Sequence, residues 1–527
     1  MNTPALRAEL WAHGRRHMQA GEWAQALQVF QTMAAEHAAI DEYSVPLLLQ
    51  LSTVYLRLDQ YQNAHRSAMA AAALRPSDPG QFQSTANAMN VFGEPGELAR
   101  LVDASAAFAL PPSVLADTAL LLSAFGMHAR AVALLDRLDS ASANAPHAKY
   151  VRGLIDMFEG RTAQAELEFK GALQRAPTLA HVHWLLSQVD AIETKSEHAA
   201  AMLRLRVQDI ASDAAEAYIA YALHNELYDL QRDEEAWSAL ERGCRAKLRM
   251  ASYDAVATER LFSALKALCT ADFVRPAVLD DPLTPIFIIG MHRSGTTLLE
   301  RILAGHSQVA DGGESSAFRA QVRWATDHVA SDLLDIETID RLADADFVAL
   351  GRRYLESVLW RARGKPFLTE KLPSNLVYAG FIAKALPQAK ILHMVRDPMD
   401  TCWSNLRTHF AGAAPYSYDQ VQMADYYGQY AALMRHWKDV MPVRVLDVSY
   451  DALVHSPEAT ARDIFEFCGL PFEESALNVE RSSGAVATAS SVLVRRGIRT
   501  DRGAAWRRYE RHLQPLQTRL RELGFDV

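Results

Sequence analysis

The chain has 527 residues, 50% of them hydrophobic and 22% charged, with a formal net charge of −9. That length supplies cores for two or three soluble domains, and the acidic balance argues against a general nucleic-acid binder. No apolar run reaches the roughly 18 residues that span a bilayer, and Met1–Leu10 lacks a signal-peptide pattern.

The four cysteines, Cys244, Cys269, Cys402 and Cys468, form no CxxC pair. A disulfide framework and a metal site are therefore not expected, and a reducing cytoplasm fits best.

Residues 1–268 are rich in alanine and leucine and repeat a short phrase. Gly21-Glu22-Trp23-Ala24-Gln25-Ala26 returns as Asp59–Ala64, Gly126–Ala131 and Gly160–Ala165, and a weaker copy ends at Ala236. Ala131 and Ala165 stand 34 residues apart, the period of paired-helix solenoids. In such arrays a small residue lets two antiparallel helices approach, and an aromatic fills the gap to the next pair. On these phrases the half resembles tetratricopeptide-repeat proteins, with irregular repeats between residues 77 and 120. The resemblance implies a surface for a protein or peptide. A structural appendage or homodimerisation arm explains the same repeats equally well.

Residues 269–284, with Pro276, Asp280, Asp281 and Pro282, read as a connector. From 285 to 527 short β-branched runs alternate with amphipathic stretches, the grammar of a mostly parallel sheet flanked by helices. The expected strands are Ile286–Ile289, Val309-Ala310, Phe367–Thr369, Ile391–Val395 and Val443–Val448.

The first strand runs into Gly290-Met291-His292-Arg293-Ser294-Gly295-Thr296-Thr297 and then an apolar helix. Strand, Gly-rich turn and helix N-terminus gather backbone N–H groups and a positive dipole end where an anion can bind. The spacing is that of a Walker A loop, but Thr296 stands where the lysine belongs. That lysine serves a triphosphate, so its loss disfavours a kinase. Arg293 instead offers a guanidinium fork to an oxyanion.

Ligands of open α/β sheets bind beyond the carboxyl ends of the strands. The later strands deliver Gly313-Glu314, Glu370-Lys371, Arg396-Asp397-Pro398 with Ser404 on the next helix, and Ser449-Tyr450 to that rim. Two arginine anchors on separate strands imply a ligand anionic at both ends. Ser404 and Arg396 reach one phosphate only if the intervening turn folds back.

Pro285–Glu300 with Gly313-Glu314, Glu370–Asn375, Ile391–Ser404 and Val494-Arg495 with Trp506–Glu510 together resemble the sulfotransferases. The likeness is to the bacterial tetratricopeptide-linked kind and the tyrosylprotein sulfotransferases. It implies a two-part architecture, an all-α solenoid followed by a P-loop-type parallel α/β domain. It also implies 3′-phosphoadenosine 5′-phosphosulfate as donor co-substrate, without a metal.

Carried over by motif position, Arg293, Ser294, Gly295, Thr296 and Thr297 would hold the 5′-phosphosulfate. Arg396 and Ser404 would hold the 3′-phosphate, and Tyr450 and Arg495 would lie against the donor. Glu314 would be the general base and Lys371 the cation facing the bridging oxygen, with Arg293 on the transferring group. A capping or surface role for Glu314, an exposed strand-end lysine at 371 and a structural pair of Arg396 with Asp397 or Asp400 are the plainer readings.

His292 stands where the family often has proline, and Gly313-Glu314-Ser315-Ser316-Ala317 lacks the arginine that tyrosylprotein sulfotransferases place shortly after their glutamate. These departures bear on the acceptor, whether peptidyl tyrosine, glycan or small molecule. A non-catalytic repeat scaffold that binds a nucleotide is the alternative of another class. The last 47 residues carry ten arginines against four acidic residues. That excess suits either an anionic ligand or a solvated helix.

Overall fold

The computed structural model describes residues 4–35, 42–189, 191–205, 212–251, 253–330, 332–479, 498 and 503–527. The chain divides into two compact units. One comprises Met1–Ser142 and Ser316–Asp346, the other Ala143–Ser315 and Phe347–Val527. Among the described residues no helix is long and apolar enough to cross a membrane.

The repeated phrase is a turn followed by the start of a second helix. Its first residue has positive φ in every copy: Gly21, Asp59, Gly126, Gly160 and Gln231. The next amide donates to a carbonyl five residues back, as in Glu22 N to His17 O (2.9 Å) and Arg161 N to Asp156 O (2.8 Å). This is a Schellman ending, which satisfies orphan helix carbonyls and reverses the chain. The sixth residue, Ala26, Ala64, Ala131, Ala165 or Ala236, is fully buried.

Close helix contact also requires glycine on the partner helix. A Cβ on Gly14 would lie 2.4 Å from the Phe30 ring, and one on Gly153 would lie 2.6 Å from Phe169. The stretch expected to be irregular keeps the same turn at Gly93 (φ 73°) between helices Pro79–Phe92 and Pro95–Ala104. Buried Leu98 there takes the place of the alanine.

The first unit includes two helices that follow the Glu314 loop in sequence, Ala317–Thr326 and Ile336–Leu342. They are tied to the second repeat. The Asp59 carboxylate accepts from His328 Nδ1 (2.7 Å), Val329 N (2.7 Å) and Arg341 Nη2 (3.1 Å). Trp324 packs against the His65 ring, and Arg66 lies over its face.

The second unit contains a parallel five-stranded sheet in the order β2-β3-β1-β4-β5. The strands are β1 (Thr284–Gly290), β2 (Val309–Ala310), β3 (Phe367–Lys371), β4 (Lys390–Val395) and β5 (Val445–Ser449). Strand β3 runs two residues beyond the expected Thr369, so Glu370 and Lys371 belong to the strand itself. Strand β5 starts late, because Val443 lies exposed in the preceding turn. Ile286 and Ile288 of β1 are fully buried and share a core with Leu299, Ile302 and Leu392. The helices from Pro146 to Leu268 belong to this unit as well.

Candidate active site

The loop between β1 and helix Thr296–Ala304 is built on left-handed backbone. Gly290 has φ 149°, Arg293 67° and Gly295 109°. A Cβ on Gly290 would lie 2.9 Å from Met394 O, and one on Gly295 would lie 2.5 Å from the Tyr450 ring. Only glycine fits at either place. Arg293 carries the same backbone at a cost, an arrangement concentrated at functional sites.

Gly295 provides no side-chain cap for the helix, so the leading amides are suited to an anion. Ser294 is 1% exposed, and its Oγ has no hydrogen-bond partner among the described residues. A buried hydroxyl in that state suits a phosphate or sulfate oxygen.

The turn after β4 does fold back. Asp397 caps the helix Pro398–Leu406 by accepting from Asp400 N (2.8 Å), with Pro398 in the first turn. Arg293 Nε donates to Ser404 Oγ (3.3 Å), and Arg396 Nη1 donates to Arg293 O (3.4 Å). The Arg396 guanidinium lies 4.5 Å from the Tyr450 ring centroid, and one of its nitrogens is 3.7 Å from Asp400. Arg293, Arg396, Ser404 and Tyr450 thus form one cluster around the glycine loop.

Lys371, at the end of β3, pairs in register with Ile288 of β1 and is 1% exposed. Its ammonium donates to the Glu314 carboxylate. Glu314 itself is more than a third exposed, so the pair spans from the protein interior to solvent. His292 Nδ1 is 3.0 Å from Tyr416 Oη, and the His292 carbonyl accepts from Asn405 Nδ2 (2.6 Å). Burial pulls the His292 imidazole down to about 4; Lys371 and Arg293 add to this while Glu314 opposes it.

Two further buried carboxyls belong to this region, Glu300 within electrostatic reach of the pair and Glu370 beside Lys371 along β3 but bonded to Tyr354 and Asn375. Burial, reinforced by Asp311, raises Glu300 to about 8, and its Oε1 lies 3.3 Å from Thr369 Oγ1. Burial raises Glu370 to about 7 against hydrogen bonds from Tyr354 (2.8 Å) and Asn375 (2.9 Å). Sequence reasoning assigned neither a role, although it set Glu370 at the rim. Glu300 falls on an apolar helix, and only its four-residue spacing from Thr296 marks the inward face. Arg495 lies outside the described residues.

Comparison with known proteins is consistent with this geometry. Residues 285–474 match the model of the sulfotransferase family. An uncharacterized protein of Aquifex aeolicus is 34% identical over 46% of this chain and 32% of its own length. The protein-tyrosine sulfotransferase of Drosophila melanogaster is 28% identical over 37% of this chain and 40% of its own length. Protein-tyrosine sulfotransferase A of Caenorhabditis elegans is 26% identical over 39% and 55% respectively. The chain therefore spans less than two thirds of each of these relatives. The C-terminal half of the chain carries a sulfotransferase-family domain.

Proposed function

We propose that the chain moves a sulfuryl group from 3′-phosphoadenosine 5′-phosphosulfate to an acceptor hydroxyl. The observation that carries this reading is the cluster of Arg293, Ser404 and Arg396 on a glycine loop without a lysine. The residues present fit such a nucleotide: an orphaned buried hydroxyl at Ser294, a cradle closed to any Cβ at Gly290 and Gly295, and two guanidinium groups. When bound, the nucleotide supplies the sulfuryl group and an anionic leaving phosphate.

Arg293, Ser294 and the amides at Thr296 and Thr297 hold the oxyanions at the 5′ end. Arg396 and Ser404 hold the 3′-phosphate, and Tyr450 backs the Arg396 guanidinium. Glu314 accepts the proton of the acceptor hydroxyl as the acceptor oxygen bonds to sulfur. Lys371 donates to the oxygen left on the nucleotide as its bond to sulfur breaks. Transfer of this kind is governed by positioning and electrostatics. The Lys371 ammonium and the Glu314 carboxylate face each other at the strand-end rim.

Peptidyl tyrosine is the acceptor class we propose. Two similar proteins bear the name protein-tyrosine sulfotransferase, and the helical repeats offer a surface for an extended chain. The test is a transfer assay with labelled donor against peptide, glycan and small-phenol panels. Sulfation of tyrosine peptides supports the proposal, and label on glycans or small phenols alone overturns the acceptor class.

A further inference from the structure

The helix that carries Ser404 is held from behind by the last helical repeat. A helix leaves its final carbonyls without intrahelical donors. In Pro398–Leu406 the Ser404 carbonyl accepts from Thr408 Oγ1 (2.7 Å) and the Asn405 carbonyl from Thr408 N (2.9 Å). The Leu406 carbonyl accepts from the hydroxyl of Tyr221 (3.0 Å), a fully buried residue of helix Asp213–Asp229.

Four residues on, the Phe410 carbonyl accepts from Lys247 Nζ (2.8 Å). Lys247 belongs to helix Asp233–Met250 and is 4% exposed, with its ammonium over the Tyr418 ring. A buried ammonium is costly unless it is well bonded, so its placement on a loop carbonyl is a specific constraint. Aromatic packing reinforces both bonds. Trp403 stacks on Trp237, Arg407 lies 3.7 Å from the Tyr228 ring centroid, and His409 stacks on Tyr218 at 4.2 Å.

These restraints end at the anion loop. Ser404 Oγ meets Arg293, Asn405 holds the His292 carbonyl, and the Phe410 ring packs against His292 at 5.4 Å. We propose that Tyr221 is a positioning residue for the 3′-phosphate end of the donor site, so that the last repeat completes that subsite, while Lys247 steadies the His292 side of the loop for the 5′ end. The inference rests on the donor reading above. It assigns the final repeat a part in nucleotide discrimination, separate from any capture of the acceptor.

The test uses the full chain and two probes, adenosine 3′,5′-bisphosphate and 5′-AMP, with dissociation constants from calorimetry. Tyr221→Phe keeps the ring and removes one hydrogen bond. Lys247→Met removes the ammonium, keeps a comparable stem and serves as the comparison for the 5′ end. Tyr221→Phe is expected to weaken the bisphosphate by about three- to tenfold and to change 5′-AMP less than about twofold, narrowing the preference between them, whereas Lys247→Met should weaken both probes alike. A role in stability alone leaves that preference unchanged, and equal loss for both probes in Tyr221→Phe, or none, overturns the inference. Should Lys247→Met fail to fold, Tyr221→Phe carries the test. A wild-type chain with no preference for the bisphosphate overturns the donor reading itself, and this inference with it.

Discussion

Arg293 Nε donates to Ser404 Oγ across 3.3 Å, joining the loop after β1 to the helix after the neighbouring strand β4. One hydroxyl therefore spans the gap between the anchors for the two ends of the proposed nucleotide. Replacing Ser404 with alanine removes a donor to the 3′-phosphate and a restraint on Arg293. Hydrogen bonds to charged groups contribute about 1.5–3 kcal/mol, so bisphosphate affinity should fall by at least about tenfold. Calorimetry on Ser404→Ala checks this; unchanged affinity would remove Ser404 from the site.

Gly295→Ala should be more damaging than its size suggests. The residue has φ 109°, and a Cβ would lie 2.5 Å from Tyr450, which supports the Arg396 guanidinium. Backbone strain of this kind costs about 1–3 kcal/mol, and the overlap adds to it. The expected outcome is a lower urea midpoint together with loss of nucleotide binding. Adding Tyr450→Ala should relieve the overlap and leave the φ strain.

Glu314→Gln separates chemistry from binding. If Glu314 takes the acceptor proton, turnover at saturating donor should fall by about 10²–10⁴-fold. Bisphosphate binding should hardly change. Near-native turnover in this variant would exclude Glu314 as the base.

The expected pH response follows from Glu300, which burial raises from 4.5 to about 8. Its folded form binds a proton more tightly than its unfolded form. The corresponding stability is fully present below pH 4.5 and is lost as pH rises through about 8. Glu300→Gln should flatten that decline. The comparison is between denaturant midpoints at pH 5 to 9 for the two proteins, and a parallel decline in both would contradict the assignment.

Asp59→Asn tests the link between the second repeat and the segment after Glu314. Asparagine tolerates the left-handed backbone at this turn but loses the charge that receives His328, Val329 and Arg341. Burial opposes protonation of His328, yet its bonds to Asp59 and Asp335 raise it above 6.5. That contribution is present below pH 6.5 and is lost as pH rises through the raised value. Hydrogen exchange over 316–346 should be faster in the variant, with the largest difference in mildly acidic solution.

The alanine phrase was legible because its chemistry is local: a left-handed turn residue and a small buried residue five positions later. At Gly93 the same turn was harder to read, because Pro95 and Leu98 alter the phrase while keeping its geometry. The carboxyl ends of all strands but β3 were legible to within one residue from β-branched runs, and with them the rim bearing Arg293, Glu314, Lys371, Arg396 and Tyr450. Contacts distant in sequence were not. Nothing near Tyr221 or Lys247 announces that they bond carbonyls at 406 and 410. Nor does the segment 316–346 show by composition that Asp59 receives it. Glu300 was hidden because a lone carboxylate on an apolar helix becomes informative only once its burial is known.

The most direct test of the donor site is the thermal midpoint of the full chain with adenosine 3′,5′-bisphosphate, compared with ADP and with ATP plus magnesium. A ligand that binds only the folded state raises the midpoint by an amount that grows with its affinity and concentration. A clear rise with the bisphosphate alone, lost in Arg396→Ala, is the predicted result. A rise with ATP and magnesium instead, or with none of the three, would contradict it.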